Sequence, residues 1–458
     1  MLSKTLLTSV ALFALLAQTT VARPHGRVSR GRQTPSWTGK FLHVTDIHID
    51  PSYLNGSNPD KLCHRISDNT TKNTAGVYGA LGTDCDSPVT LVEAAFNFMH
   101  KKLQDIDFII YTGDTARHVC IDAKRRRGQD RDDKLPRTVA DVLNSHKTVV
   151  DYFYKNFDTK RIKFIPTLGN NDEFIHDQIA LGPQPLLANL TALWEPFNLN
   201  LGETFANGGY FTQDVLPGKL QVINTNSMYF FADNKLVTDC DVDGSAGGIQ
   251  LKWIQANLQK ARDGKYNAYI MGHVPPNDSK GKMTFYPACY NIYVNLLGEY
   301  ADVIQGHFTG HTNEDMLTLV VRNHTATSNY SLITLTGKTV PQIDFVANPI
   351  VAVLNNAPSV IPVNNPALRV YQYNTKPKLF GKIFDWTQYY ADLAAANSNG
   401  KVVWQTEYTA SKQYGTKGLS TQDYTSLVQK FMAPNSVTWA DYVKYLTVGA
   451  GPKNKKNG

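Results

Sequence analysis

Short apolar, β-branched runs alternate with longer segments whose apolar positions recur every three or four residues. Phe41–Thr45, 107–111, 162–165 and 267–271 are runs of the first kind and read as buried strands. Residues 138–157 are of the second kind, with Val139, Val142, Leu143, Val149, Val150 and Phe153 on one face. A helix is expected after Ser87-Pro88, with Ser87 as its N-cap, Pro88 at its first position, and Leu91, Ala94, Ala95, Phe98 and Leu103 inward. Another is expected over 248–263. Such alternation predicts an α/β architecture. From 208 the pattern turns β-rich. LTLVVRN, SLITLTG, IVAVLNN and LRVYQYN, between 317 and 374, read as strands completing a second sheet. Residues 376–458 carry the aromatic-rich patches FDWTQYYADLAAAN and WADYVKYLTVG, which read as helices of a C-terminal extension. No internal repeat is visible.

The strand ends carry the chemistry. Asp46 and His48 stand two apart after the first run, so an extended backbone there points both the same way. A carboxylate with an imidazole suits Zn, Fe, Mn or Co better than Ca or Mg. Alone, such a pair also fits a surface Asp beside a core His. Four further runs end alike: one in Asp114, one in Asn170, Asn171 and Asp172, one in His273, and one in His307, His311, Asn313 and Asp315. In open α/β sheets, sites form where strand carboxyl ends converge. Five repetitions point to a metal centre.

The order D-x-H, G-D, G-N-[N/H]-[D/E], G-H, G-H-x-[H/N] resembles the calcineurin-like metallophosphoesterases. Within them, TGDTARH, KLPRT, TLGNND followed by His176, MGHVPP and GHFTGHTNED resemble the fungal endopolyphosphatases, relatives of acid sphingomyelinase. The resemblance runs from about residue 40 to 316 and more weakly through 357–373. It implies a four-layer α/β/β/α sandwich over residues 39–375 and two metal ions (Zn, Fe, Mn, Co or Mg). Asp46, His48 and Asp114 would hold one metal; Asp114, Asn170, His273 and His311 the other, with Asp114 bridging. The implied reaction is cleavage of internal phosphoanhydride bonds of inorganic polyphosphate by a metal-bridging hydroxide. A phosphodiesterase acting on phospholipids or nucleotides would use the same ligands. Against lipid stands the absence of a saposin-like cysteine module. A metal-free binding protein would need ligands lost.

Several positions are less determined. The last motif normally ends in a second His; here Asn313 stands there, with His307 as a compensating ligand or a core residue. Asp172 and Asp315 read as orienters of the ligands. Arg117 and His118, and more weakly Arg137 and Lys134, read as holding substrate phosphate, with a surface salt bridge as the alternative. The residue after Asn170 is usually a His able to protonate the leaving oxygen. Here it is Asn171, tolerable for a phosphate leaving group and damaging for an alkoxide; His176 and His118 are substitute acids.

The remaining features concern compartment and partner. The formal charge is +7, concentrated in KRRRGQDR at 124–131 and in the terminal GPKNKKNG. That balance fits a polyanion, with no nucleic acid as a specific partner; the plainer reading is a solvated loop and tail. Residues 1–22 read as a signal peptide: Lys4, the apolar LLTSVALFALLA at 6–17, and Thr20-Val21-Ala22 as cleavage site. A signal anchor over 5–22 is the alternative, and is the only membrane attachment expected. Residues 23–38 read as a basic linker or pro-segment, and 50–86 as an irregular insertion. Six sequons, Asn55, Asn69, Asn189, Asn277, Asn323 and Asn329, agree with the secretory route. The resemblance implies a vacuole- or lysosome-like destination, with secretion as the alternative. Cys63 is expected to pair with Cys85, and Cys240 with Cys289, leaving Cys120 as a free thiol. If 124–131 guides a polyanion, neutralising Arg125, Arg126 and Arg127 is expected to raise KM for long polyphosphate more than for short, with a steep salt dependence. Equal effects on both lengths would reduce the segment to a solvated loop.

Overall fold

The computed structural model describes residues 37–118, 132, 134–323 and 328–450. The signal, the linker to residue 36, Cys120, the basic run 124–131 and the terminal tail lie outside the described residues. In chain order the first half runs β1 (Thr38–Val44), β2 (Ile49–Asp50), β3 (Ser87–Pro88), α1 (Val89–Lys102), β4 (Phe108–Tyr111), α2 (Val139–Asn156), β5 (Lys163–Pro166), α3 (Pro185–Leu193), α4 (Gly202–Gly208), β6 (Phe211–Leu216), β7 (Leu220–Asn224), α5 (Ala246–Gly264) and β8 (Asn267–Met271). The second half runs α6 (Pro287–Glu299), β9 (Ile304–Thr309), β10 (Met316–Arg322), β11 (Tyr330–Thr334), β12 (Ile350–Asn356), β13 (Ala367–Asn374), β14 (Ile383–Ala391), α7 (Leu393–Asn399), β15 (Trp404–Thr409), α8 (Ala410–Tyr414), α9 (Thr421–Met432) and α10 (Val437–Leu446).

The strands form two large sheets, ordered β15-β14-β13-β1-β4-β5 and β11-β10-β12-β9-β8-β7-β6. Within the first, β1, β4 and β5 are parallel; in the second, β7, β8 and β9 are. Parallel neighbours end at the same level, so the loops after β1, β4 and β5 emerge together. The sheets meet through aromatic rings. Phe41 stacks on Phe108 at 4.7 Å and on Tyr371 at 4.9 Å within its own sheet, and meets Tyr269 and Phe308 of the other at 5.5 and 5.3 Å. Helices α1 and α2 cover the outer face of the first sheet, where Phe153 packs on Phe96 and Phe164. Helices α5 and α6 lie against the second. The layering is α/β/β/α, as expected.

Local chemistry explains the boundaries. Helix α2 begins with a reciprocal cap: the Thr138 hydroxyl accepts from the Asp141 N–H, and the Asp141 carboxylate accepts from the Thr138 N–H. Helix α1 corrects the expectation. Ser87 does not cap it, because Ser87 pairs with Ile49 in the β2–β3 bridge, and Pro88 takes the cap position without a side-chain bond. The buried face is Leu91, Val92, Ala95, Phe96 and Met99. Phe98 is half-buried instead and stacks on Trp404 of β15 at 5.3 Å.

The C-terminal region departs further. LRVYQYN does not complete the second sheet: as β13 it runs antiparallel to β1 in the first. FDWTQYY is strand β14 rather than helix, and with β15 it extends that sheet across the expected boundary at 375. Its strand character rests on ladder pairing with β13 on one side and β15 on the other, which its aromatic content obscured in the sequence. The second patch is helical, as α10.

Both expected disulfides are present, Cys63–Cys85 and Cys240–Cys289. Among the sequons, Asn55, Asn69, Asn189 and Asn329 are exposed. Asn277 is buried and donates to Thr334 Oγ1 at 3.1 Å, so the folded chain does not offer it for glycosylation. No helix among the described residues is long and apolar enough to cross a membrane.

One buried acid makes stability depend on pH. Burial, reinforced by the Asp315 carboxylate, pushes Glu407 on β15 up to about 8 against the pull of its bond from Gln388. The folded chain therefore holds this proton through a range where the unfolded carboxyl, at 4.5, has lost it. The contribution is whole below pH 4.5 and disappears as pH rises through about 8. Glu407→Gln is expected to flatten the fall in melting temperature across that window. Parallel curves for variant and parent would show the carboxyl to be ionised throughout.

Candidate metal centre

The loops after β1, β4, β5, β8 and β9 converge on one cluster. Asp46 and His48 follow β1, but not on extended backbone as expected. Both are left-handed, with φ of 51° and 43°, and so are Asp114 (59°), His311 (69°) and Asn313 (60°). Single residues pay about 1–3 kcal/mol for such conformations. The loops hold one another in them: the Asp46 N–H donates to Gly113 O at 2.9 Å and the His48 N–H to Asp114 O at 3.1 Å. Two glycines permit the approach. A Cβ on Gly169 would strike the Asp114 carboxylate, and one on Gly310 would strike Thr45 and Asp46.

Asp114 lies at the middle. Its Oδ2 is 3.3 Å from His48 Nε2 and 3.2 Å from His273 Nε2. Asp46 Oδ1 is 3.6 Å from the same His48 nitrogen. Asn170 Oδ1 is 2.9 Å from both His273 Nε2 and His311 Nδ1. Two groups sharing Asp114 result: Asp46, His48 and Asp114, and Asp114, His273 and His311, each with ligand atoms within 4.8 Å of one another. All these side chains are buried or nearly so.

Metal ions fit this set. His48 Nδ1 is 3.0 Å from Ala116 O, and His273 Nδ1 is 2.7 Å from Thr112 O. A carbonyl only accepts, so both rings carry a proton on Nδ1 and turn Nε2 to the centre. Asp46 Oδ1 and His48 Nε2 are buried without a hydrogen-bond partner, a costly state that a cation relieves; Asn313 Oδ1 is buried and unpartnered as well. The field points the same way. Burial opposes charge on His273, yet Asp114 raises it to about 9; His48 is raised likewise. Burial would raise Asp114, but His273 and His48 hold it well below the carboxylate range. Burial and the neighbouring His273 lower the third imidazole, His311, to about 4, so it presents a neutral ring as a metal ligand must.

The remaining expectations divide. Asp172 orients ligands as expected, accepting the N–H of Gly169, Asp114 and Thr115 at 2.8, 2.9 and 2.7 Å. The Asp315 carboxylate touches the centre less directly: it turns away to ion-pair with Arg369. His307 is a core residue, 2.7 Å from the Tyr293 hydroxyl and lowered to about 3 by burial. Asn171 grips Asp114 twice, donating from its backbone N–H to Oδ1 at 2.8 Å and from its amide to Oδ2 at 2.9 Å. His176 sits at the edge, with Nε2 3.1 Å from Asn170 Nδ2 and Nδ1 3.0 Å from Asp177.

Arg117 and Arg137 face the protein. Arg117 is buried and donates to Leu135 O at 3.1 Å; Arg137 donates to the carbonyls of Arg117, Asn171 and Glu173. They brace the loops rather than stand open to a phosphate. Lys134 is exposed. His118 is half-buried, its ring stacked on that of His48 at 4.0 Å. Asp86 accepts from the His118 N–H at 2.9 Å and lies 2.6 Å from its Nδ1. Sequence reasoning missed Asp86, which follows Cys85 in an irregular insertion with no local signal. The disulfide to Cys63 fixes that stretch.

Comparison with known proteins agrees with this geometry. Residues 39–315 match the family described as calcineurin-like phosphoesterase, and 342–452 the acid sphingomyelin phosphodiesterase C-terminal region. The chain is 28% identical over 408 residues to an endopolyphosphatase of Cryptococcus neoformans, covering 73% of this chain and 58% of that protein. It is 35% identical over 308 residues to an endopolyphosphatase of Neurospora crassa, covering 65% and 39%. It is 27% identical over 423 residues to the human cyclic GMP-AMP phosphodiesterase SMPDL3A, covering 91% and 84%. The chain thus spans about two-fifths to three-fifths of these endopolyphosphatases. Asp114→Ala and His273→Ala are each expected to lose bound metal while keeping the wild-type circular dichroism spectrum. Full metal occupancy in either variant would remove that residue from the centre.

Proposed function

Since the chain belongs to the calcineurin-like phosphoesterase family, we propose that it is a metal-dependent hydrolase that cleaves internal phosphoanhydride bonds of inorganic polyphosphate. Two metal ions of the Zn, Fe, Mn, Co or Mg class would be held by the residues above and would supply Lewis acidity and a lowered water pKa, so that hydroxide is available as the nucleophile near neutral pH. The observation that carries the substrate choice is Asn171. Its amide is spent on Asp114, at the position where a proton donor to the leaving oxygen would follow the Asn ligand. It holds the central carboxylate against rotation and has no proton to give. A phosphate chain leaves without one, because the second pKa of a phosphate ester is about 6. An alkoxide does not, and general acid catalysis there is worth about 10²- to 10⁴-fold. The endopolyphosphatase relatives support the same substrate. The disulfides fit an oxidising compartment, and the secretory route to a vacuole- or lysosome-like space is the proposed location.

A second reading has its own observation. His118 stands on His48 with Asp86 behind it, an imidazole at the rim of the centre suited to protonating an alkoxide. That favours a phosphodiester, such as a nucleotide, and the human relative is named for one. The readings separate on substrates. Wild type, Asn171→His, His118→Ala and His176→Ala are compared on long-chain polyphosphate, on an activated aryl phosphodiester and on an unactivated alkyl one. The expected result is strong preference for polyphosphate, a gain for Asn171→His concentrated on the unactivated diester, and little loss on polyphosphate in His118→Ala. Wild-type turnover of the unactivated diester equal to that of polyphosphate would overturn the assignment in favour of the second reading.

A further inference from the structure

The loop 310–315 brings His311 to the centre and holds both His311 and Asn313 left-handed. Little of what shapes it comes from its own strand. On the side of the centre, the Gly310 N–H donates to His273 O and the His311 N–H to Asp46 Oδ2, both at 3.0 Å. On the other side, anchors come from beyond residue 355. The Asn356 amide donates to Thr312 Oγ1 and Glu314 O at 2.8 Å, and the Asn364 amide to Asn313 O at 2.7 Å. The Asp315 N–H donates to Leu446 O at 3.0 Å, at the end of α10.

The Asp315 carboxylate is the deepest of these anchors. It ion-pairs with Arg369 of β13 and accepts from the Tyr408 hydroxyl of β15. Arg369 is itself fully buried. Its guanidinium donates to Gln388 Oε1 of β14 at 2.5 and 3.1 Å, to the Tyr371 hydroxyl at 3.3 Å, and lies 5.1 Å from the Trp386 ring. The Trp386 indole donates in turn to the Tyr408 oxygen at 3.0 Å. Three adjacent strands thus present a preassembled socket for one carboxylate. A buried ion pair is weak evidence for stability, since apolar side chains of similar volume often serve as well. A planar fork seated on two rings fixes geometry, which a point charge would not.

We propose that Arg369 is a positioning residue of the metal centre: through Asp315 it sets the conformation of residues 310–315, and with it the affinity of the half-site that includes Asp114, His273 and His311. The C-terminal strands are then a working part of the centre rather than a layer packed on it. The inference rests on the metal reading of the site and not on the substrate.

The test uses the full chain and Zn²⁺, measured by competition with a chelating dye alongside melting temperature and circular dichroism. The informative variant is the double one, Arg369→Met with Asp315→Leu, which leaves no charge orphaned. The expected result is a folded protein with near-wild-type melting temperature that binds one of two Zn²⁺ ions about 10- to 100-fold more weakly, the usual size for losing a group that orients a ligand. Arg369→Lys, keeping the charge without the fork, should fall between it and wild type. A folded double variant binding both ions within twofold of wild type would overturn the proposal and leave the pair a core interaction. Should the double variant fail to fold, Tyr408→Phe decides. It removes one hydroxyl from Asp315; weakened binding of one ion supports the proposal and unchanged binding overturns it. Wild-type protein binding no Zn²⁺ would instead sink the metal reading itself.

Discussion

A single buried carboxylate, that of Asp172, makes the rest of the centre buildable. It is fully inaccessible and accepts backbone N–H groups from Gly169, Asp114 and Thr115. These groups belong to two loops leaving parallel strands, where ladder bonds end and donors would be stranded. A buried donor left unpaired costs about 1–3 kcal/mol, so three of them would undo the local fold. Charge-assisted bonds to one anion satisfy all three and bind the loops together. With the backbone secured, Asp114 can hold a left-handed conformation that aims its carboxylate at His48 and His273. The strain at Asp46, His48 and His311 is carried likewise, by bonds from one loop to the next rather than within any loop.

What the sequence disclosed, and what it hid, follows from this arrangement. The candidate ligands were legible because metal chemistry restricts residue types: Asp46, His48, Asp114, Asn170, His273 and His311 all reach the cluster. Their backbone was not. Two residues apart on a strand is a local rule, and the bonds that twist Asp46 and His48 out of it come from residues near 113. The partner of Asp315 was hidden for a related reason. Asp315 adjoins the ligand motif in sequence, but a loop reverses direction within a few residues, and the partner that decides its role, Arg369, lies 54 positions later. Asp86 was invisible because only a disulfide and an irregular segment deliver it to His118. Aromatic content misled at β14, where rings that looked like a helical patch belong to a strand paired on both sides, with β13 and β15.

The aromatic residues have a wider role. Phe41, Phe108, Tyr269, Phe308 and Tyr371 form one contiguous layer between the sheets. Rings 4.7–5.5 Å apart fix the spacing and offset of the sheets more tightly than aliphatic packing would. That matters because the two halves of the centre come from different sheets: Asp46, His48, Asp114 and Asn170 from one, His273 and His311 from the other. A slip between sheets would separate Asp114 from His273. Tyr371 belongs to β13, two residues from Arg369. One strand of the C-terminal region thus helps set both the distance between the halves and the shape of the loop that completes one of them.

The most concentrated chemistry lies in seven residues, 112–118. Asp114 offers the shared carboxylate. The carbonyls of Thr112 and Ala116, two residues to either side, accept from His273 and His48 and so decide which nitrogen each ring presents. His118 lays its ring on His48. A motif records only part of this. Gly113, Asp114 and His118 act through what their side chains are or lack, and appear as fixed letters. Thr112 and Ala116 act through carbonyls that every residue possesses, so their letters say nothing about the work they do. The tautomer of the two central imidazoles is therefore written in backbone geometry. It became readable only once the loops that Asp172 pins together were seen in place.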